Sequence, residues 1–466
     1  MVKKSYLAWL LKKKCYISAK KEFMSSDTTR SIQKIGLWTT VSFVVANMIG
    51  TGVFTSLGYQ LNVTENIITI LLLWVLGGVI ALSGALVYGE LGAVMPRSGG
   101  EYHYLSVIYR PWVGFLSGWV SLTVGFAAPV ALAAMALGSY TSRIFPALSP
   151  QNIALSVLLF ITLIHALDVK LGARFQVVFT SFKVILIIVF IACGFLLTKN
   201  FQSFSSSFHT FHFKELYQPG FYISLIYVTY AFSGWNASAY IASEIENPQR
   251  TLPLSLLIST VVVTLLYFLL NLTFLLTTPT IELKGQLDVG YIAAAKIFGS
   301  AGGRIMAMLI SILLISTVSS MIFVGPRVTQ VMGEDYKILS FLAERSKRGT
   351  PVYAILLQFT ISFFMILTST FESVLTYAGF TLNLFTFLTV LGVFVHRYKY
   401  KTADRPYRTW GYPFVPLVYL AVIMLTLLYL IFSRPYESMM GFITLFSGIL
   451  IYLLNSWYVK KQANKV

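Results

Sequence analysis

The sequence predicts an all-α polytopic membrane protein of twelve transmembrane helices: a five-plus-five inverted repeat with broken first and sixth helices, then two further helices. Three observations lead there. The 466-residue chain is 56% hydrophobic and 11% charged, with mean hydropathy +0.75, which is more apolar surface than a water-soluble fold buries. Its apolar residues gather into runs of about 20, the length that crosses a bilayer. The first and sixth runs each carry a glycine break at a matching position, "NMIGTGVF" at 47–54 and "YAFSGWN" at 230–236.

Residues 1–36 form a basic segment read as cytoplasmic. Its apolar patch at 7–11 is too short for a signal-peptide core. The stretch reads either as a basic helix lying on anionic lipid or as optional residues before a start at Met24. Apolar segments follow at 37–61, 67–89, 112–138, 151–168, 173–197, 219–242, 252–277, 304–328, 352–370, 373–396, 413–432 and 439–458. Segments 1–5 (37–197) and 6–10 (219–396) make the two halves of the repeat. Segments 11 and 12 (413–458) stand outside it, and 459–466 is a short cytoplasmic tail.

Lysines and arginines set the orientation. Of the 35, seven fall on the predicted outer loops and Lys183 lies within segment 5, while the rest crowd the other face. The positive-inside rule assigns that face and both termini to the cytoplasm. The net charge of +18 is thereby explained without nucleic acid. Cys15 and Cys193 fall in different environments and cannot pair, and no metal-ligand spacing or cofactor motif is present. With no cysteine on an outer loop for a disulfide-linked subunit, no obligate protein partner is expected beyond membrane lipid.

Gly50 and Gly52 each cost roughly 1 kcal/mol against alanine in a helix interior. Any backbone group they free in lipid must find a partner inside the protein. One such pair alone fits ordinary helix packing. Breaks in corresponding positions of two halves point instead to an inverted-repeat transporter with its site at the middle. Free N–H groups at the start of the outer half of segment 1 can hold a carboxylate, and free carbonyls an ammonium group. A zwitterion fits such a site.

Lys183 lies about ten residues into segment 5, roughly 15 Å deep at 1.5 Å per residue. From there its side chain cannot reach the interface, so it faces the protein interior. No Asp or Glu lies at the middle of any predicted helix. The amine is therefore either charged and held by carbonyls and hydroxyls, or neutral because burial disfavours the ammonium. Glu90 and Glu244, near the inner ends of segments 2 and 6, read as ion pairs with Arg97 and Arg250, with a proton-carrier role as the alternative. Asn247-Pro248 ends segment 6. His103, His165, His209, His212 and His396 show no helical pairing and are assigned no role. The sequons at Asn62, Asn236 and Asn271 fall in or against helices, which argues against glycosylation.

Four motifs, in order, carry a family resemblance over roughly 37–460. "NMIGTGVF" resembles a first-helix motif usually written with GSG. "YGELGAVMPRSGGEYHYL" (88–105), "YAFSGWNASAYIASEIENPQRTLP" (230–253) and "RPYRTWGYPFVP" (405–416) follow. Together the sequence resembles the amino acid/polyamine/organocation superfamily of amino acid permeases, most closely bacterial relatives of the L-type exchangers. It departs from the family after segment 8, where Gly333-Glu334-Asp335-Tyr336 stands in place of an Arg-Asp(Glu)-Gly turn.

The resemblance implies an amino acid carboxylate near Gly50, Thr51 and Gly52. It implies an ammonium group met by backbone around Met48 and Ile49 and by the second break at Tyr230, Phe232, Ser233 and Gly234. For Thr51 the other reading is a hydroxyl bonded to its own helix. Tyr230 is the implied gate over substrate; Phe232 and Trp235 read as packing. Lys183 stands where sodium-coupled relatives bind a cation between the first and eighth helices, with Ser319 and Ser320 as candidate hydroxyl partners, so sodium independence is implied. What remains is exchange or proton symport of amino acids, neutral ones favoured, in a plasma (bacterial inner) membrane. The nearest rivals are a carrier of polyamines, nucleobases or other organic cations on the same fold, and a non-transporting sensor. A membrane enzyme is disfavoured, because no helix offers paired carboxylates, a His/Asp set or a metal site.

Overall fold

The structure, a computed structural model, describes residues 34–64, 66–167, 172–198, 213–346 and 349–463. The expectations for 1–23, Cys15, His209 and His212 lie outside these residues. Among the described residues the chain is helical and forms no strand.

Helix α1 comprises Leu37–Met48 and, past the break, Gly52–Val63. Next come α2 (Ile67–Val94), α3 (Pro111–Ser142), α4 (Pro150–Leu167) and α5 (Gly172–Leu197). Helix α6 is Pro219–Ala231 with a last turn at Ala237–Tyr240, followed by α7 (Pro248–Thr277), α8 (Val289–Asp335) and α9 (Val352–Thr368). The chain closes with α10 (Phe371–Lys399), α11 (Phe414–Ser433) and α12 (Pro435–Ala463). Among the described residues ten helical stretches are long and apolar enough to cross a membrane; α9 and the interrupted α6 are shorter.

Local chemistry sets the ends. The Asn66 side chain caps α2, accepting from the N–H groups of Ile68 (2.9 Å) and Thr69 (3.3 Å). Pro111, Pro219 and Pro248 open α3, α6 and α7, where a missing N–H costs nothing. Asn247, left-handed at φ 44°, separates the end of α6 from α7 as the Asn-Pro pair predicts. Helix α8 begins well before the predicted 304, because the chain turns at Gly299 (φ 79°) and runs on as helix on both sides. Between its loop ends the short inner-loop helix Gly100–Ile108 joins α2 to α3.

Two packing groups emerge. Helices α1, α2, α6 and α7 pack on one another, and α3, α4, α8 and α9 form the second group. The inner-loop helix packs chiefly on α3 and α10 and also touches the last turn of α6.

The two breaks meet through glycine. A Cβ on Gly52 would lie 2.4 Å from the Ala231 Cα, so only glycine lets the second half of α1 lie against α6. Gly234 is left-handed (φ 94°), and a Cβ there would come within 2.6 Å of the Asn47 carbonyl oxygen. Gly50 has more room, with Thr317 Cγ2 the nearest atom at 3.9 Å. Gly52→Ala is therefore expected to destabilise the purified protein by roughly 1–3 kcal/mol through overpacking. Gly50→Ala should stay within about 1 kcal/mol of wild type. Thermal unfolding in detergent reads both, and equal losses would contradict this packing.

Candidate functional site

A cavity of about 130 Å³ lies between the two breaks. That is on the order of the volume that takes up benzene in an engineered protein core. Gly50, Thr51 and Gly52 form one wall, and Tyr230, Ser233 and Gly234 the facing one. Toward the predicted inner face it is bounded by Phe43, Asn47, Glu101 and Tyr240.

The first break is tight. Gly50 N–H donates to the Met48 carbonyl at 2.8 Å, and Phe54 N–H returns to the Thr51 carbonyl at 3.0 Å. The second half of α1 thus starts at the cavity, and the N–H groups of Thr51, Gly52 and Val53 have no helical partner. The Thr51 hydroxyl makes no capping bond, and Thr51 and Tyr230 both line the cavity.

The carbonyls exposed by the breaks are tied by two buried side chains. The Tyr267 hydroxyl on α7 donates to the Met48 carbonyl (2.6 Å) and lies 3.2 Å from the Ala231 carbonyl. The Lys183 Nζ on α5 donates to the Ile49 carbonyl (3.1 Å) and to Thr317 Oγ1 on α8 (2.9 Å). Lys183 is 4% exposed and faces the interior. It joins the break in α1 to α8.

Several expected contacts fall elsewhere. The hydroxyl that meets Lys183 is Thr317, not Ser319 or Ser320. Ser319 lies on another face of α8 and bonds the His165 ring at 2.8 Å. Met48 lines the cavity, but its carbonyl already accepts from Tyr267 and Gly50. Ile49 is fully buried, with its carbonyl on Lys183, and Phe232 is buried between Trp74 (6.1 Å) and Tyr267 (5.0 Å). Neither residue lines the cavity. Trp235 does, and packs edge-on against Tyr88 at 4.7 Å.

Glu90 pairs with Arg397 (2.6 Å) and Arg405 (3.6 Å) and accepts from Thr409, instead of pairing with Arg97. Arg397 comes from the last turn of α10, and the entry to α11 folds back onto α2 with Arg405 and Thr409. No ion pair joins Glu244 to Arg250 among the described residues. The departing segment after α8 does make a contact: Asp335 accepts from the Tyr102 hydroxyl of the inner-loop helix at 2.6 Å.

Sequence reading missed three features of the site. Tyr267 looked like any aromatic in a membrane helix. A π-turn at Ser121–Gly125 in α3 sets Ser121, Gly125 and Phe126 on the cavity wall. Glu101 sits four residues after Arg97 in an inner loop, yet folding carries it to the cavity. The nearest sequence signal was the Gly99-Gly100 pair, both with positive φ, which turns the chain back.

On the predicted outer side the cavity is covered. The Gly285 N–H donates to the Gly58 carbonyl at 2.8 Å, and the Tyr140 hydroxyl donates to the Phe54 carbonyl at 2.9 Å. An Arg143–Asp288 ion pair at 2.5 Å holds the loop beneath α8.

A multi-pass helical protein with a small cavity between two interrupted helices is a membrane permease in architecture. The chain belongs to the amino acid permease family, whose model matches residues 35–452. It is 31% identical to the "b(0,+)-type amino acid transporter 1" of Mus musculus, over 94% of this chain and 91% of that protein. It is 28% identical to the human "Cystine/glutamate transporter" (95% and 89% covered). It is 26% identical to the mouse "Large neutral amino acids transporter small subunit 2" (92% and 82%).

Tyr267→Phe removes the donor that ties both breaks and leaves buried carbonyls short of a partner, a cost of about 1–3 kcal/mol. The variant is expected to bind amino acid about tenfold more weakly while keeping its helical content. Binding to the detergent-purified protein together with circular dichroism checks this, and unchanged affinity would contradict it.

Proposed function

We propose that this protein carries amino acids across the membrane by alternating access, independently of sodium, as an exchanger or a proton symporter. In this reading the chain spans the bilayer twelve times, ten of the spans forming two inverted repeats. Both termini lie in the cytoplasm of a plasma or bacterial inner membrane. The two packing groups are the bodies that rock against each other around the cavity.

The observation that carries this reading is Lys183. An ammonium that donates to both the Ile49 carbonyl and Thr317 occupies the gap between the break in α1 and α8. The lysine side chain there fills the space a sodium ion would need and ties the break in α1 to α8. The free N–H groups at Thr51, Gly52 and Val53 receive the substrate carboxylate. Backbone around Ser233 and Gly234 receives its ammonium group, and Tyr230 closes over both. The substrate side chain then points toward α3 and α10, where Gly125, Leu382 and Thr386 give a mainly apolar wall. Neutral amino acids suit that wall better than polyamines or other organic cations.

The test is uptake of labelled amino acids into proteoliposomes holding the single purified chain, empty or preloaded, with and without sodium and a proton gradient. Uptake is expected without sodium. Accumulation confined to preloaded vesicles identifies an exchanger, and accumulation in empty vesicles under a proton gradient a symporter. A requirement for sodium contradicts the role given to Lys183. Uptake by the single chain also tests whether a partner subunit is needed.

A further inference from the structure

Glu101 is a buried carboxylate on the cavity wall that does not touch Lys183 or the break in α1. It is 4% exposed. Its Oε1 accepts from the Tyr88 hydroxyl of α2 at 2.7 Å and from the Asn236 amide at the α6 break at 2.8 Å. Tyr240, in the last turn of α6, lines the cavity beside it. Glu101 itself belongs to the inner-loop helix that packs on α3 and α10. Its hydrogen bonds therefore tie a helix that packs chiefly on α3 and α10 to α2 and α6 of the first packing group.

The groups facing it are neutral from every side. They are Tyr88 on α2, Tyr104 on its own helix, Asn236 and Tyr240 on α6, and Tyr419 on α11. No lysine or arginine pairs with it among the described residues. His103, two residues on, is held neutral, because burial and the Arg97 charge push its pKa down to about 4. The same link is reinforced nearby: Gly99 N–H donates to the Tyr240 carbonyl at 3.2 Å, and Ser98 and Ser243 hydroxyls meet at 2.5 Å.

We propose that Glu101 is a protonatable latch on the inner gate, releasing the last turn of α6 when it takes up a proton from the cytoplasmic side. A carboxylate accepts from all its donors at once. A proton on the other oxygen leaves Oε1 as a neutral acceptor, which loses the charge that strengthens both bonds. Burial raises the carboxyl's pKa, partly offset by the bonds from Tyr88 and Asn236. The proton therefore arrives at a higher pH than on a free glutamate. The released turn widens the cavity toward the cytoplasm, and its re-latching after deprotonation closes it. This proposal rests on the transport reading above.

The experiment is amino acid exchange in proteoliposomes of the full chain, with internal pH varied between about pH 5 and about pH 8 at constant external pH. Wild type, Glu101→Gln and Tyr88→Phe are compared. Wild-type exchange should rise about tenfold as internal pH falls, in a single titration, the factor expected when charge-assisted bonds become neutral ones. Glu101→Gln should run at the low-pH rate throughout. Tyr88→Phe, which removes a donor that favours the charged form, should titrate with its midpoint moved to higher pH. A flat wild-type profile overturns the latch, as does a wild-type profile retained in Glu101→Gln, while exchange itself upholds the transport reading. If Glu101→Gln does not assemble, the Tyr88→Phe midpoint decides, and an unmoved midpoint overturns the latch. Absence of wild-type transport at every pH, both as exchange and as uptake into empty vesicles under a proton gradient, overturns the transport reading and the latch together.

Discussion

A peptide group that loses its helical partner inside a bilayer has no water to turn to. Every break in a membrane helix must therefore be answered by a side chain from elsewhere in the fold. In this protein the answers come from α5 and α7. Lys183 takes the Ile49 carbonyl, Tyr267 takes the Met48 carbonyl and reaches that of Ala231, and both side chains are buried. Gly52 and Gly234 then let the two interrupted helices approach until their loose ends share one cavity. What is left unanswered, the first N–H groups of the second half of α1, is what a substrate can use. The same constraint that makes the break costly makes it selective.

The ties also divide the molecule. Tyr267 links α7 to α1 and α6, all within one packing group. Lys183 and Glu101 reach beyond one group: the first from α5 to α1 and α8, the second from the inner-loop helix to α2 and α6. A rocking motion leaves the first kind of bond intact and strains the second. Glu90, by contrast, is enclosed by Arg397, Arg405 and Thr409 and binds α2 to the α10–α11 connection. Its carboxylate is fully answered by cations, which suits a permanent joint.

Much of this was legible in the sequence because it is local. Glycine in an apolar run marks the breaks, a lysine deep in a run of valines and isoleucines must face inward, and Asn247-Pro248 must end a helix. The partners were not legible, because they depend on helix phase and on how distant loops return. One turn of α8 separates Thr317 from Ser320, and no spacing rule tells which hydroxyl meets a lysine on α5. Arg97 lies seven residues from Glu90, yet the residues that answer Glu90 come from more than three hundred positions away. Glu101 was hidden for the same reason: in sequence it belongs to a polar loop, and only the turn at Gly99-Gly100 carries it into the interior.

The central claim is that the break in α1 holds a carboxylate and the break in α6 an ammonium group. Competition binding to the detergent-purified protein tests it most directly, comparing one neutral amino acid with its methyl ester, its N-acetyl derivative and the corresponding amine. The account predicts that the intact zwitterion binds and that each truncated form is about a hundredfold weaker or worse, as expected when buried charged or polar groups are left unpaired. An ester or amine that competes as well as the amino acid would contradict it.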